Sequence, residues 1–355
     1  MGMPSIQIAF TELAASAIRR GDRGIIAMIL KDTLPEGVNN PVVLTSNGDI
    51  PAGISEDNKT QLKLALMGYV NPPKKVIAYF LAADAADYGA AFTYFASVKF
   101  TYLVVPTVAT DAKTADVVSY VNDQRANNKL IKAVLPNTKA DSEAIINVTT
   151  ASFINNNKTF TTEQYCSRIA GIIAGTPMAI SATYAPLNEL SDCTHLSVED
   201  MDEAVDAGEF IVFWDGEKVK TGRAVNSLTT LTQGKNVQFQ KIKVVETMDM
   251  IADDIRTTAE DNYIGKYANT YDNKCLLLSA IGNYFRGLVD DDVLAGYTIE
   301  IDIEANKRYL ESKGIDTSEM TADEIKKANT GSYVYLTATV SIVDAIEDIV
   351  LPITI

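Results

Sequence analysis

Gly24-Ile25-Ile26-Ala27-Met28-Ile29-Leu30 is an unbroken apolar run of strand length. A strand with water on one face alternates apolar and polar residues. A run without alternation suits a strand covered on both faces, as in a parallel sheet layered between helices. Shorter runs repeat the pattern at Val42–Thr45, Val76–Leu81, Tyr102–Val105 and Ile131–Leu135, with helical patterns such as Asn58–Met67 and Thr114–Asn127 between them. This alternation predicts an open, mostly parallel α/β domain. A capped helix follows: Thr161 and Gln164 form a capping box, Tyr165, Ile169, Ile172 and Ile173 form its apolar face, and Gly175-Thr176-Pro177 stops it. Gly171 and Gly175, four apart on one face, predict the close approach of another element.

Working outward from this block, Ser5–Phe10 places the large side chains Ile6, Ile8 and Phe10 on one face of a strand, ahead of a polar breaker at Arg19-Arg20-Gly21-Asp22. Such a strand has no local partner and is expected to pair at a distance. The small and polar segment Ala185–Thr194 is the expected domain boundary. Beyond it the pattern becomes α+β. A hairpin is expected around Asp215-Gly216, and two long helices over Val245–Asn262 and Asn273–Leu288, the second N-capped by Asp272. A strand Tyr297–Ile303, a short helix ending at Gly314 and a helix boxed by Thr321 and Glu324 come next. A β-rich run, Tyr333–Ile355, closes the sequence, with Leu351, Ile353 and Ile355 on one face of its last strand. The expected division is an N-terminal arm and linker over 1–22, an α/β domain over 23–190, an α+β domain over 191–342 and a C-terminal strand arm over 343–355.

The 355 residues carry a formal charge of -15 with a pI near 4.6, and no basic run compensates. Affinity for nucleic acid comes mainly from neutralised phosphates, so DNA or RNA is not expected as a direct partner. No stretch is long and apolar enough to span a membrane, and Met1–Phe10 lacks the pattern of a signal peptide; a cytoplasmic origin is expected. Three cysteines, Cys166, Cys193 and Cys275, are odd in number and widely spaced, which predicts free thiols.

Chemistry-bearing motifs are sparse. His195 is the single histidine. Its neighbour Cys193 suggests a nucleophile and base, but no third group is in view to orient them, and a surface loop is the favoured reading. No GxGxxG follows the first strand, and Gly216–Gly222 has the wrong spacing for a phosphate loop. Asp290-Asp291-Asp292 lacks the alternate ligand spacing of a calcium loop and reads as a solvated turn. No catalytic residue, cofactor or metal is expected.

Several segments carry a family resemblance: Arg223-Ala224-Val225-Asn226-Ser227-Leu228-Thr229-Thr230-Leu231, Lys241–Val245, Tyr263-Ile264-Gly265-Lys266 and Asn329-Thr330-Gly331. Pro4-Ser5-Ile6, Arg23–Ala27 and Ala345–Ile355 add to it. Together they resemble the contractile phage tail sheath family, in particular the short sheath subunits of prophages and R-type bacteriocins of Gram-positive bacteria. The resemblance implies a non-enzymatic homo-oligomer of stacked rings around an inner tail tube, contacting baseplate and tail terminator proteins. It would pass from the producing bacterium's cytoplasm into the assembled particle. It also implies an outer α/β domain, an inner tube-proximal α+β domain, and terminal arms adding strands to neighbouring subunits through Ile6, Ile8, Phe10, Leu351, Ile353 and Ile355. Within the inner domain, the two short helices of densest mixed charge, Glu304–Lys313 and Ala322–Ala328, are the candidate tube contacts, the second of them bearing Lys326 and Lys327. An α/β enzyme and another self-assembling shell protein are the competing readings.

Overall fold

The apolar run at residue 25 becomes β1 (Ile25–Lys31), an interior strand of a seven-stranded sheet, with Ile26, Met28 and Leu30 facing one layer and Ile25, Ala27 and Ile29 the other. In the computed structural model, residues 17–156 and 158–354 are described. By contacts the chain divides into a larger unit, 21–250 with 344–354, and a smaller unit, 251–343 with 17–20.

In the larger unit, β2 (Val42–Leu44), α1 (Glu56–Leu66), β3 (Lys75–Leu81), α2 (Gly89–Phe95), β4 (Tyr102–Val104), α3 (Thr114–Ala126), β5 (Lys132–Pro136) and β6 (Ile145–Val148) follow β1. After them come β7 (Ser152–Asn155), β8 (Lys158–Thr161), α4 (Thr162–Ala174), β9 (Asp192–Cys193), α5 (Val198–Asp206), β10 (Glu209–Phe210), β11 (Val212–Trp214) and β12 (Val219–Thr221). The main sheet has the order β10-β6-β5-β4-β1-β3-β2 and is parallel throughout except for β2, which pairs antiparallel with β3. Val42–Leu44 is thus an antiparallel edge and not one of the parallel strands. Helices α1 and α4 pack with one apolar layer, and α2 and α3 with the other.

The predicted capping box of α4 is present, Thr161 accepting from Gln164 N and Gln164 Oε1 accepting from Thr161 N. Its glycines explain the tight layer: a Cβ on Gly171 would collide with the Ala65 carbonyl oxygen of α1, and one on Gly175 with the Asn71 carbonyl oxygen. The expected boundary at Ala185–Thr194 is corrected. That segment is interior to the larger unit: β9 pairs with β7, β10 joins β6 in the main sheet, and Ala185, Leu187 and Cys193 are buried. Two-residue strands that pair across some sixty positions leave no periodic signal.

A long helix, α6 (Ile242–Asn262), begins in the larger unit. Its first turns meet an ionic network under the sheet. Lys132 is 1% exposed, and its Nζ lies 2.7 Å from Glu246 Oε1 and 2.6 Å from Asp249 Oδ2. Arg125 of α3 grips the same Asp249 through both oxygens, at 2.9 and 3.1 Å. Lys132 Nζ has no aligned hydrogen-bond acceptor, so its contacts are ionic and not directional. Burial would push the Asp249 carboxyl up; Lys132 and Arg125 more than offset this and hold it below the usual carboxylate range.

The smaller unit contains α7 (Tyr271–Asp290), β13 (Leu294–Ile301), α8 (Ile303–Ser312), α9 (Ala322–Lys327) and β14 (Leu336–Ile342). The N-cap of α7 is Thr270, whose hydroxyl accepts from Asn273 N, and not Asp272; Asp272 lies in the first helical turn, where a carboxylate favours the helix dipole. Of the expected β-rich run from Tyr333, only 336–342 is strand, paired antiparallel with β13. Residues 344–354 form no strand within this chain and group with the larger unit. Ile6, Ile8, Phe10 and Ile355 lie outside the described residues.

Two outcomes follow from this packing. Gly171→Ala should lower stability by about 1–3 kcal/mol, read as a reduced urea midpoint, since backbone rather than a flexible side chain fills the space. Asp249→Asn should cost about 3–5 kcal/mol at neutral pH, because it leaves Lys132 buried beside a weakened partner. Since the folded Asp249 pKa is depressed, its contribution is present above the unfolded carboxyl value of about 3.9 and is lost as pH falls through the folded value. Urea midpoints of wild type and Asp249→Asn should therefore begin to approach each other below about pH 4 and meet only below the folded value; parallel curves would exclude this role.

Candidate functional site

In open α/β sheets, ligands bind beyond the carboxyl ends of the strands where strand order reverses. Here that place is the end of β1, between β3 and β4. Lys31 Nζ lies 2.8 Å from Asp111 Oδ1, while Tyr88 and Thr107 donate hydroxyl hydrogen bonds to Asp111 Oδ2 at 2.6 and 2.8 Å. The adjoining Asp32 accepts from Ser55 N and Asn58 Nδ2, each at 2.8 Å. Polar groups at the usual ligand crevice thus satisfy one another.

Cys193 and His195 do not form a nucleophile and base. The Cys193 thiol is buried, pointing toward the Val212 carbonyl, and burial pushes its pKa up to about 11. His195 is exposed, its Nε2 2.8 Å from Asp192 Oδ1. Gly216 sits at the turn of the β11–β12 hairpin with φ +102°, where a left-handed residue is required, and the Gly216–Gly222 stretch is that hairpin. Asp291 is paired with Arg20 at 2.5 Å. Among the described residues, no group of three or more His, Cys, Asp or Glu side chains is placed to hold a metal, and no helix is long and apolar enough to cross a membrane.

A dense set of paired polar groups lies in the strap 223–231. Asn226 donates from Nδ2 to the Phe239 carbonyl at 2.8 Å and accepts from Leu228 N at 3.0 Å. Ser227 N reaches the Ile145 carbonyl at 2.8 Å, and its hydroxyl donates to Ser142 O at 3.0 Å. Asp141 accepts from the backbone N–H groups of Thr229 and Thr230 at 2.7 and 2.8 Å, and bonds from Thr230 and Thr229 hold its carboxyl well below the usual range. The strap therefore runs along the edge of the sheet with its polar groups paired, and it returns to α6 through Ile242 N, which donates to Ala224 O at 3.1 Å.

Its first residue, Arg223, meets the closing segment. Arg223 Nη2 lies 2.6 Å from Asp348 Oδ1; Lys241 pairs with Asp344 and lies 3.3 Å from Glu347 Oε2. Thr183 donates its hydroxyl to Glu347 Oε1 at 2.6 Å. Burial would lower the pKa of Arg223 and of Lys241, but these carboxylates raise both overall. Exposed aliphatic side chains interrupt and then follow these acids: Ile346 is 88%, Val350 92%, Leu351 74% and Ile353 78% exposed. Beside Arg223 and Asp348 lies a groove of about 590 Å³ lined by Tyr184, Met201 and Phe213 among others.

Two family models match most of this sequence, the phage tail sheath protein central domain over residues 82–227 and the phage tail sheath C-terminal domain over 234–355. The chain belongs to the phage tail sheath family. The tail sheath protein of Clostridium phage phiCD119 is 40% identical over 356 aligned residues, covering 98% of each chain. Among solved structures, the sheath tail protein of Desulfitobacterium hafniense superposes with a TM-score of 0.71 at 18% identity, covering 84% of this chain and 94% of that one. The anti-feeding prophage helical sheath in its contracted state gives 0.72 at 15% identity, covering 100% and 99%. Arg223 and Asp348 of this tail sheath chain fall in separate family models, yet the two side chains pair.

Of the other sequence-selected residues, Leu351 and Ile353 stand exposed and unpaired in strand terms. Lys326 and Lys327 close α9 in the smaller unit, with Lys327 Nζ 5.7 Å from the centroid of the Tyr271 ring. Sequence reading missed Arg223, Lys241 and Glu347 as partners, because a charge 100 or more positions away gives no local signal.

Proposed function

We propose that copies of this chain polymerise as stacked rings around an inner tail tube, and that the resulting sheath contracts to drive the tube through a target envelope. The observation that carries this reading is the 40% identity to a phage tail sheath protein over 98% of both chains. The role is structural and not catalytic. The mutual satisfaction of Lys31, Asp32, Tyr88 and Asp111 at the ligand crevice favours it over the α/β enzyme. Baseplate and tail terminator proteins are the expected end contacts, and the producing cell's cytoplasm the place of synthesis.

The α/β domain takes the outer position and the C-terminal domain the tube-proximal one. Terminal arms bearing Ile6, Ile8 and Phe10, and Leu351, Ile353 and Ile355, add strands to neighbouring subunits. Exposed strand edges accept such additions, and β13 and β14 each have one strand partner among the described residues. Lys326 and Lys327 meet the tube by charge complementarity, which sets register more than affinity.

Negative-stain images of purified protein should show striated hollow tubes; uniformly monodisperse particles under all assembly conditions would count against the sheath. Deleting 1–10 or 349–355 should leave a folded subunit, by circular dichroism, that forms no tubes. Unimpaired polymerisation would remove the arms from the mechanism. Lys326→Glu with Lys327→Glu should reduce co-sedimentation with tube protein about tenfold at low salt while sheath–sheath assembly persists; unchanged co-sedimentation would place the tube contact elsewhere.

A further inference from the structure

We infer that Thr183, Arg223 and Lys241 form a clasp that fixes the root of the closing segment through Asp344, Glu347 and Asp348, and so aims residues 349–354 at a second copy of this chain. The second copy as partner rests on the sheath reading; the clasp itself does not.

Three carboxylates within five positions would be repelled by a chain of net charge -15 unless they met dedicated cations. Two are supplied, by Arg223 at the start of the strap and by Lys241 immediately before α6. Glu347 is the inner member, its side chain 6% exposed. Its Oε1 accepts from Thr183 at 2.6 Å and from Ser181 at 3.4 Å. Thr183 Oγ1 also accepts from Ala224 N at 3.0 Å, which leaves its hydroxyl hydrogen to Glu347. Glu347 Oε2 has no aligned donor; Lys241 at 3.3 Å and Arg223 at 3.9 Å hold it by charge alone. The segment is thus held by hydroxyl hydrogen bonds from Thr183 and, at longer range, Ser181, and by ion pairs from two separate parts of the fold.

The change at residue 348 gives the clasp its purpose. Up to Asp348 the acidic side chains are paired, whereas Ile349, Val350, Leu351 and Ile353 are exposed aliphatics. An apolar segment leaving a fixed root meets a neighbouring subunit at a higher effective concentration than one released from a mobile tether. It also loses less conformational freedom on docking. Because the ion pairs at Arg223 and Asp348 are partly exposed, their grip should weaken with salt.

Hydrogen exchange on the full-length unassembled subunit tests this in wild type, in Arg223→Ala/Lys241→Ala and in Glu347→Gln, which removes one charge while keeping a Thr183 acceptor. Peptides over 344–348 should exchange about tenfold faster in both variants, while peptides over β1 are unchanged. The protein concentration needed for tube formation should rise about tenfold in parallel, and wild type should approach the variants at high salt. Unchanged exchange at 344–348 in Glu347→Gln, with β1 still protected, would overturn the clasp even if the double variant failed to fold. Faster exchange with an unchanged assembly threshold would overturn the aiming role. If wild type forms no tubes at all, the sheath reading and the partner fall together, and the exchange data still decide whether the clasp exists.

Discussion

Lys132 sits at the start of β5 with almost no access to water, its ammonium group placed between the carboxylates of Glu246 and Asp249. Removing an ion from water costs several kcal/mol, so these side chains strongly favour the arrangement in which they meet. Arg125 adds a second cation through a two-pronged grip on Asp249, tying α3 to the same point. The first turns of α6 are thereby fixed against the sheet. Lys241 immediately precedes that helix, and Ile242 N closes the strap onto Ala224. The buried network therefore sets where Lys241 stands, the strap sets where Arg223 stands, and the two cations set where the closing segment is held.

In the same sheet, residue types familiar from active sites are engaged with one another. The crevice at the end of β1 contains the residue types of an active site, a lysine, two aspartates and a tyrosine. Each is consumed by its neighbours. Asp111 accepts from Lys31, Tyr88 and Thr107, interactions that outweigh its desolvation and keep its carboxyl below the usual range. A carboxylate so occupied is a poor general base, and the interactions that occupy it stiffen the layer instead. Fold and function are argued separately for this reason.

How much of this was legible depended on the distance over which each signal acts. The doubly buried strands, the α4 box at Thr161 and Gln164, and the glycine pair at 171 and 175 are local patterns, and each has a matching feature in the structure. The boundary at 185–194 was misplaced because small and polar composition resembles a linker, whereas Ala185 and Leu187 are buried and β10 pairs back to β6. Thr270 was passed over for Asp272 because both are good capping types and the choice lies in backbone geometry. The clasp was hidden more thoroughly. Asp344 to Asp348 reads as a polar interruption of a β-rich run, and nothing nearby reveals that Arg223 and Lys241 wait for it. Strap residues were recognisable as a family pattern, but their reason, bonds to Ser142, Ile145 and Phe239, is tertiary.

A strongly acidic chain that self-associates must separate the groups that repel from those that attract. The closing segment does so along its length, with its acids paired inside the subunit and its aliphatics left outside. Burying Ile349, Val350, Leu351 and Ile353 on a neighbour would yield about 6–12 kcal/mol from apolar surface. Ordering the six residues 349–354 would cost about 6–12 kcal/mol in backbone freedom. One arm thus comes close to balance, and small terms decide whether it docks. Holding residues 344–348 in advance is such a term, since it removes their ordering from the cost of association. A lattice repeats that small surplus at every subunit, while an isolated pair of subunits gains it only once; near-neutral single contacts let a chain remain soluble alone and still polymerise once rings begin to stack.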